Sequence, residues 1–440
     1  MAAPRILVVP GGTSIGAVAL ANASIHKLVE LYEERAADPN HPAPHTVVFV
    51  RDPAKVPPAT LRGSAATPEQ AFPEEDYPGL ANHIKNDPHF FDGVDLVLST
   101  SGSSAGKPRL VGLSTDALMA SVKATELALD GPGRWILALP THHIAGAMIL
   151  VRAAVAGTNP QVVDTTNGFH PRDLLPAIKG VTQDDMPGYL SLVPTQLVQC
   201  LDADEEVLEA LRSLSAILVG GAAISQHLLE RALNAGLKVR ITYGMTETAG
   251  GCVYDGEPMP GITVRAVDWD GRTRLAFNGP TLMTRYLDAD SPFFEEGGQR
   301  WMVSGDMGVI RASGKVEVSG RADDVIISGG LSIAPGPLRR AARSYEGISD
   351  AWILGTPDEK WGQIVTALVV PHQMPSDSLE MAKLGSAVRE HAAAHIGRAQ
   401  APRRVVAVTE LPYLGFDKID RGAAVAAATA AEGTKRDWVR

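Results

Sequence analysis

The sequence predicts an α/β protein with a large N-terminal domain of mostly parallel sheets covered by helices, a β-rich subdomain, and a small α+β C-terminal domain. Three observations predict it. Between residues 94 and 243, short β-rich runs alternate with helical patterns, as strands joined by crossover helices do. After Gly250 the pattern changes to hairpins, and from about residue 324 a separate pattern of strands and helices begins. The 440 residues suffice for about two or three domains of roughly 150 residues, each with a buried core.

Residues 6–9 read as a buried strand, Gly11-Gly12 as a turn and the stretch beyond as a helix. Arg5 before an apolar stretch and Ala21-Asn22-Ala23 also resemble a secretory leader, but Pro10, Gly11 and Gly12 interrupt the apolar segment a leader needs. Residues 37–90, rich in Pro, Asp and Ala, read as loops with little regular structure. Strands are expected at 94–98, 135–139, 161–163, 189–193, 216–219 and 239–242. Several run directly into small or polar residues, and open α/β sheets bind ligands at such carboxyl ends. Asp270-Gly271 and Ala312-Ser313-Gly314 mark hairpin turns. Strands at 325–327 and 365–370, a helix around 379–395 and an Ala-rich tail make residues 324–440 a small separate domain.

With 45% hydrophobic and 20% charged residues, the chain has the composition of a soluble globular protein. Its 50 acidic residues outnumber 40 basic ones, so no global positive field attracts nucleic acid or anionic lipid. The longest apolar run, 145–157, contains Arg152 and falls short of the roughly 20 residues of a membrane span, so no membrane insertion is expected. Two cysteines, Cys200 and Cys252, are too few for a disulfide framework and too isolated for structural zinc; a cytoplasmic setting is expected.

Chemistry concentrates at strand ends. Ser99-Thr100-Ser101-Gly102-Ser103-Ser104-Ala105-Gly106-Lys107-Pro108-Arg109 offers backbone amides, hydroxyls and two cations, the materials of a polyphosphate cradle. A Walker loop fails on spacing, because Gly102 and Gly106 enclose three residues and Pro108 stands where magnesium needs a hydroxyl. A plain Ser/Gly surface loop remains the alternative on this segment alone. Thr242-Tyr243-Gly244-Met245-Thr246-Glu247-Thr248 joins an aromatic face for a base, a hydroxyl for phosphate and a carboxylate for magnesium. Ser304-Gly305-Asp306 and Arg321 supply a carboxylate for ribose hydroxyls and a cation, or else an ordinary surface ion pair.

Together these segments resemble the adenylate-forming superfamily of acyl-CoA synthetases, peptide-synthetase adenylation domains and luciferases, over about residues 94–421. The matches run in the family's order: Thr100 to Arg109, Leu139-Pro140 to His143, Gly220-Gly221-Ala222, Tyr243 to Glu247, Ser304-Gly305-Asp306, Gly320-Arg321-Ala322-Asp323-Asp324, and Leu411-Pro412 to Lys418. The resemblance implies a large ATP- and acid-binding domain over residues 1–322, with its N-terminal part reduced, and a small mobile domain over 323–440 that turns about Asp323. It implies that Thr100, Ser101, Gly102, Ser103, Ser104, Gly106 and Lys107 hold the β- and γ-phosphates. Gly221, Ala222 and Tyr243 would frame adenine with Gly244 beside them, and Asp306 and Arg321 would position ribose. Thr246 and Glu247 would manage phosphate and magnesium. Lys418 would neutralise charge developing between the carboxylate oxygen and the α-phosphate. ATP, magnesium and CoA follow as requirements, a small carboxylic acid as substrate, and homodimerisation as a family habit.

Leu139-Pro140-Thr141-His142-His143-Ile144-Ala145-Gly146, with Arg152 beyond it, resembles the corresponding segment of o-succinylbenzoate-CoA ligases of menaquinone biosynthesis, as does Thr246 to Gly256. Such a substrate has a succinyl carboxylate to activate and a benzoate that stays anionic. Arg152, a charge on an apolar helix, needs a carboxylate, from the substrate or from a protein Asp or Glu. His143 would line the acyl or CoA channel as a gate or donor. A ligase for another aryl or fatty acid, and a degenerate nucleotide-binding protein of the same fold, are the alternatives. The phosphate loop is one residue longer than the family's Thr-Ser-Gly-Thr-Thr-Gly-x-Pro-Lys, Asp417 stands where Gly commonly precedes the lysine, and Pro337 and Arg339 replace glutamates frequent after the hinge.

Overall fold

The computed structural model describes residues 4–38, 45–56, 65–100, 108–414 and 418–440. The chain forms two compact units, residues 1–264 with 277–302, and residues 265–276 with 303–440.

The larger unit contains two sheets with parallel strands, as expected. The first orders β1 (Arg5–Pro10), β2 (Thr46–Arg51), β3 (Leu96–Ser99), β4 (Leu110–Leu113) and a short strand Arg285–Tyr286. Its first three strands are parallel and the last two antiparallel. Strand β2 lies inside the stretch expected to be loops, and this expectation is corrected: all six of its residues are buried. The Thr-Val-Val-Phe-Val-Arg run is a strand buried on both faces, hidden in sequence by Pro- and Asp-rich flanks. Phe49 stacks on Phe72 at 5.2 Å, and Arg51 reaches over Phe49 to Asp76 at 2.8 Å. Two further short helices, α2 (Pro68–Ala71) and α3 (Leu80–Asn86), fall in the same stretch and, like α1 (Ile15–Ala37), cover this sheet's core.

The second sheet runs β11-β10-β9-β8-β7-β5-β6, with β5 (Arg134–Leu137), β6 (Gln161–Val162), β7 (Gly188–Leu192), β8 (Ala216–Val219) and β9 (Val239–Met245) all parallel. β10 (Gly250–Tyr254) and β11 (Glu257–Pro258) add antiparallel strands at one edge. Ile136, Leu190, Leu192, Ile217 and Val219 form its core, each at most 1% exposed, and each such side chain contributes about 1.5–3 kcal/mol by burial. Helix α4 (Thr115–Ala128) and helix α5 (Ile144–Val155) pack together, and α5 is buried from Gly146 to Ala153 without interruption. A helix apolar on every side belongs in a protein interior, so a charge on it demands an explanation.

The smaller unit is an α+β sandwich. Its main sheet pairs Ile348–Asp358 antiparallel with Gly362–Pro371, which runs parallel to Arg404–Ala407. Helices Pro335–Arg343 and Ser378–Ile396 cover it, and the Ala-rich tail is helix Arg421–Ala430. The turn at Asp270-Gly271 has φ of 52° and 71°, the two left-handed residues of a type I′ hairpin. This unit takes in more than residues 323–440, because hairpin Asp306–Ile310/Val316–Arg321 packs on helix Pro335–Arg343. Among the described residues, no helix is long and apolar enough to cross a membrane.

Candidate active site

The parallel strands of the second sheet end together, and three sequence motifs follow from those ends. β8 leads into Gly220, where a Cβ would stand 2.3 Å from the Thr242 hydroxyl, so only glycine lets the tips of β8 and β9 approach this closely. Gly221 is exposed and Ala222 half-buried beside it. Tyr243, half-buried on β9, lies nearly parallel to Phe277 with ring centres 6.0 Å apart. Gly244 stands opposite Gly251 across the β9–β10 ladder.

Immediately after β9 the chain makes a 3-10 turn, Thr246–Thr248. The buried Thr248 hydroxyl accepts from the Met245 amide at 3.1 Å and lies 2.8 Å from the Gly250 carbonyl, which fastens the turn and aims Glu247. Glu247 Oε1 accepts a 2.7 Å hydrogen bond from the Tyr286 hydroxyl. Burial, reinforced by Glu247, holds the Tyr286 phenol well above its ordinary pKa, so it stays a donor. The Arg109 guanidinium lies 5.1 Å from the centre of the Tyr286 ring. The Thr100 amide donates to the Arg109 carbonyl at 2.8 Å, and the Thr100 hydroxyl accepts from the Arg109 amide at 2.9 Å. Thr100 and Glu247, 147 positions apart in sequence, are thus linked through Arg109 and Tyr286. Ser101, Gly102, Ser103, Ser104, Gly106 and Lys107 lie outside the described residues.

Glu247's second oxygen takes no hydrogen bond among the described residues. A hard carboxylate oxygen left open in this way fits magnesium, which binds one or two carboxylates and substrate phosphates. No group of three or more His, Cys, Asp or Glu suited to a metal occurs among the described residues.

His143 occupies the N-cap position of α5, its ring 4.4 Å from that of His142. His142 packs against Gly11, and the Thr141 amide donates to the Gly12 carbonyl at 3.1 Å, so the N-terminal turn braces this motif. Burial pulls the His142 imidazole below its ordinary value, with Asp52 opposing. A depressed histidine pKa means that the unfolded chain binds the proton first. Stability is therefore full above about pH 6.5 and falls as pH drops toward the folded-state pKa. His142→Asn is expected to flatten this dependence, measured as the difference in urea midpoint between about pH 7.5 and about pH 5.5.

Nine residues, about two and a half turns, beyond His143, Arg152 is 6% exposed. Its guanidinium lies 4.8 Å from the centre of the Trp135 ring, and burial lowers its pKa without removing the charge. No described carboxylate is within ion-pair distance, although Glu126 lines the same small cavity, and Arg152 Nε has no hydrogen-bond partner. On the β10 side stands Gly250, with φ of 98°, where an added Cβ would lie 3.3 Å from Met148 Cγ and 4.0 Å from Arg152 Nη2. Gly250→Ala is expected to lower stability by about 1–3 kcal/mol through backbone strain, read from urea unfolding.

The remaining candidates belong to the smaller unit. Asp306 and Arg321 face each other across a hairpin, 3.5 Å apart, and Arg321 also lies 3.6 Å from Asp323. The backbone of Lys418 pairs with Leu414 in hairpin Tyr413–Leu414/Lys418–Ile419; its side chain lies outside what is described. Sequence reasoning missed Tyr286 and Trp135, single aromatic residues at no motif spacing; only the pairing of Arg285–Tyr286 with β4 reveals the former.

A family model described as AMP-binding enzyme matches residues 14–287, and one described as AMP-binding enzyme C-terminal domain matches 340–414. A protein of Mycobacterium tuberculosis (strain H37Rv) named probable 2-succinylbenzoate-CoA ligase is 38% identical over 339 residues, 76% of this chain and 84% of that protein. The 2-succinylbenzoate-CoA ligase of Staphylococcus aureus (strain MW2) is 28% identical over 370 residues, 80% of this chain and 70% of its own. Among solved structures, o-succinylbenzoate CoA synthetase from Bacillus subtilis with its acyl-adenylate intermediate superimposes with a TM-score of 0.66 at 20% identity, covering 96% of this chain and 94% of that one. ATP-bound MatB from Rhodopseudomonas palustris gives 0.71 at 18%, covering 97% and 89%. At such identities the structures speak for the fold alone.

Proposed function

The chain belongs to the AMP-binding enzyme family, and from that premise we propose that it activates the succinyl carboxylate of o-succinylbenzoate and transfers the acyl group to CoA. At the coarser level it is an AMP-forming acid-CoA ligase that uses ATP, magnesium and CoA. The observation that carries the finer reading is Arg152, a buried cation without a carboxylate partner among the described residues. A buried charge demands an anion. A monocarboxylic acid spends its only carboxylate on the phosphorus, whereas o-succinylbenzoate brings a second for Arg152. The M. tuberculosis relative's name points the same way.

In this reading Thr100 and the loop after it hold the β- and γ-phosphates, Gly221, Ala222, Tyr243 and Gly244 frame the base, and Asp306 with Arg321 holds ribose. Glu247, oriented by Tyr286, and Thr246 hold magnesium and phosphate; magnesium, when bound, offsets phosphate charge. The succinyl carboxylate attacks the α-phosphorus, the bond to the bridging oxygen breaks, and pyrophosphate leaves. Lys418 stabilises the charge that builds in that step. Rotation of the small domain about Asp323, with the boundary at residues 322/323, then opens the way for the CoA thiol to attack the acyl carbon and expel AMP. His143 lines the acyl or CoA channel. The product is a menaquinone precursor.

The test is an acid panel with ATP and CoA, following AMP and thioester. Turnover with o-succinylbenzoate well above that with benzoate, succinate or octanoate is expected; strong activity on octanoate and none on o-succinylbenzoate overturns the substrate assignment.

A further inference from the structure

Among the described residues, the hairpin that carries Lys418 has two strand pairs, Tyr413 with Ile419 and Leu414 with Lys418. So short a hairpin is marginal by itself, and side chains must hold it. Ile419, 5% exposed, packs among Leu354, Leu368, Val406 and Leu411. The Tyr413 hydroxyl donates to Asp350 and accepts from Arg339 and Arg343 at 3.3 and 3.2 Å. Arg343 Nε in turn donates to Asp350 at 2.6 Å. Both attachments fix the hairpin to the sheet and helix of its own unit.

A third attachment, within the same unit, reaches a different element. Arg421, three residues past Lys418 at the start of helix Arg421–Ala430, forms an ion pair with Asp324. Asp324 stands next to Asp323 in the 3-10 turn Ala322–Asp324. The two consecutive carboxylates divide their partners, for Asp323 faces Arg321, which also reaches Asp306, while Asp324 faces Arg421. Exposed ion pairs contribute little, but the Asp324 side chain is only 14% exposed.

We propose that Asp324 and Arg421 are positioning residues whose ion pair fastens the lysine hairpin to the hinge motif and sets the backbone of Lys418 for adenylate formation. The proposal rests on the role given to Lys418 above. A misplacement of about 1 Å in a catalytic group is enough to lower a rate by roughly 100-fold.

Asp324→Asn, Arg421→Gln, their combination and Arg421→Lys test it beside Lys418→Ala, with two readouts: the separate half-reactions and amide hydrogen exchange in strands Tyr413–Leu414 and Lys418–Ile419. Each neutral single variant is expected to lower kcat of adenylate formation by roughly 10- to 100-fold, with KM for ATP within about twofold. The double variant is expected to be no worse than the weaker single, because both remove one interaction. Thioester formation from supplied acyl adenylate persists, Arg421→Lys restores most activity, and exchange quickens in the hairpin while the unit's main sheet keeps its protection. Single variants that adenylate normally while Lys418→Ala does not overturn the positioning role and leave the functional reading standing. Normal adenylation by Lys418→Ala itself overturns the functional reading; hairpin exchange then decides the attachment alone, with unchanged rates overturning it.

Discussion

Lys418→Ala is expected to lower the rate of adenylate formation by roughly 100- to 1000-fold while thioester formation from supplied acyl adenylate stays within a few-fold of normal. As the carboxylate oxygen approaches the α-phosphorus, negative charge accumulates on the phosphoryl oxygens and on departing pyrophosphate. An ammonium held there acts on the transition state more than on the ground state, so its removal falls on kcat of that step. In the thioester step AMP leaves as an anion, but in this reading the small domain has turned by then and carried the lysine away from the reacting atoms, so its removal falls lightly there. Half-reaction assays, with pyrophosphate exchange for the first step and thioester absorbance for the second, read the difference. Equal loss in both contradicts the role.

Arg152→Met is expected to lower kcat/KM for o-succinylbenzoate by roughly 100- to 1000-fold and to leave the free protein as stable as before, or more so. The two halves of this expectation come from one fact. Arg152 is buried with no carboxylate within ion-pair distance among the described residues, so the folded protein bears its desolvation without an ion pair in return from them. Its stacking on Trp135 offsets only part of that. Methionine of similar length fills the space without the charge. Correspondingly, o-succinylbenzoate should raise the thermal midpoint of the wild-type protein and do so much less in the variant. A large loss of stability in Arg152→Met, with unchanged selectivity among acids, identifies Arg152 as structural.

The strands of the second sheet were legible because buried parallel strands are short apolar runs between helical patterns, and five of the six expected strands fall in that sheet. Which strands pair is not written in such runs. The strand at 94–98 corresponds to β3 and joins β1 and β2 in a different sheet. β2 escaped because its six-residue run lies between Pro- and Asp-rich flanks that read as loop. At the candidate site, Gly220, Tyr243 and Glu247 stood out because they fall in motifs at strand ends, and the structure places Tyr243 on β9 and Glu247 in the turn that follows it. Tyr286 did not, since its value lies in meeting Glu247 across 39 positions. Arg152 was legible as a charge in an apolar helix, but its lack of a carboxylate partner among the described residues is a property of the folded chain alone.

Arg152, buried without a carboxylate partner among the described residues, is proposed to select an acid with a second carboxylate, and 3-benzoylpropionate, which is o-succinylbenzoate without the ring carboxylate, isolates its effect. Acid-dependent pyrophosphate exchange by the wild-type protein should be roughly 100-fold or more less efficient with 3-benzoylpropionate, and Arg152→Met should erase most of that difference. Equal kcat/KM for the two acids in the wild-type protein contradicts the account.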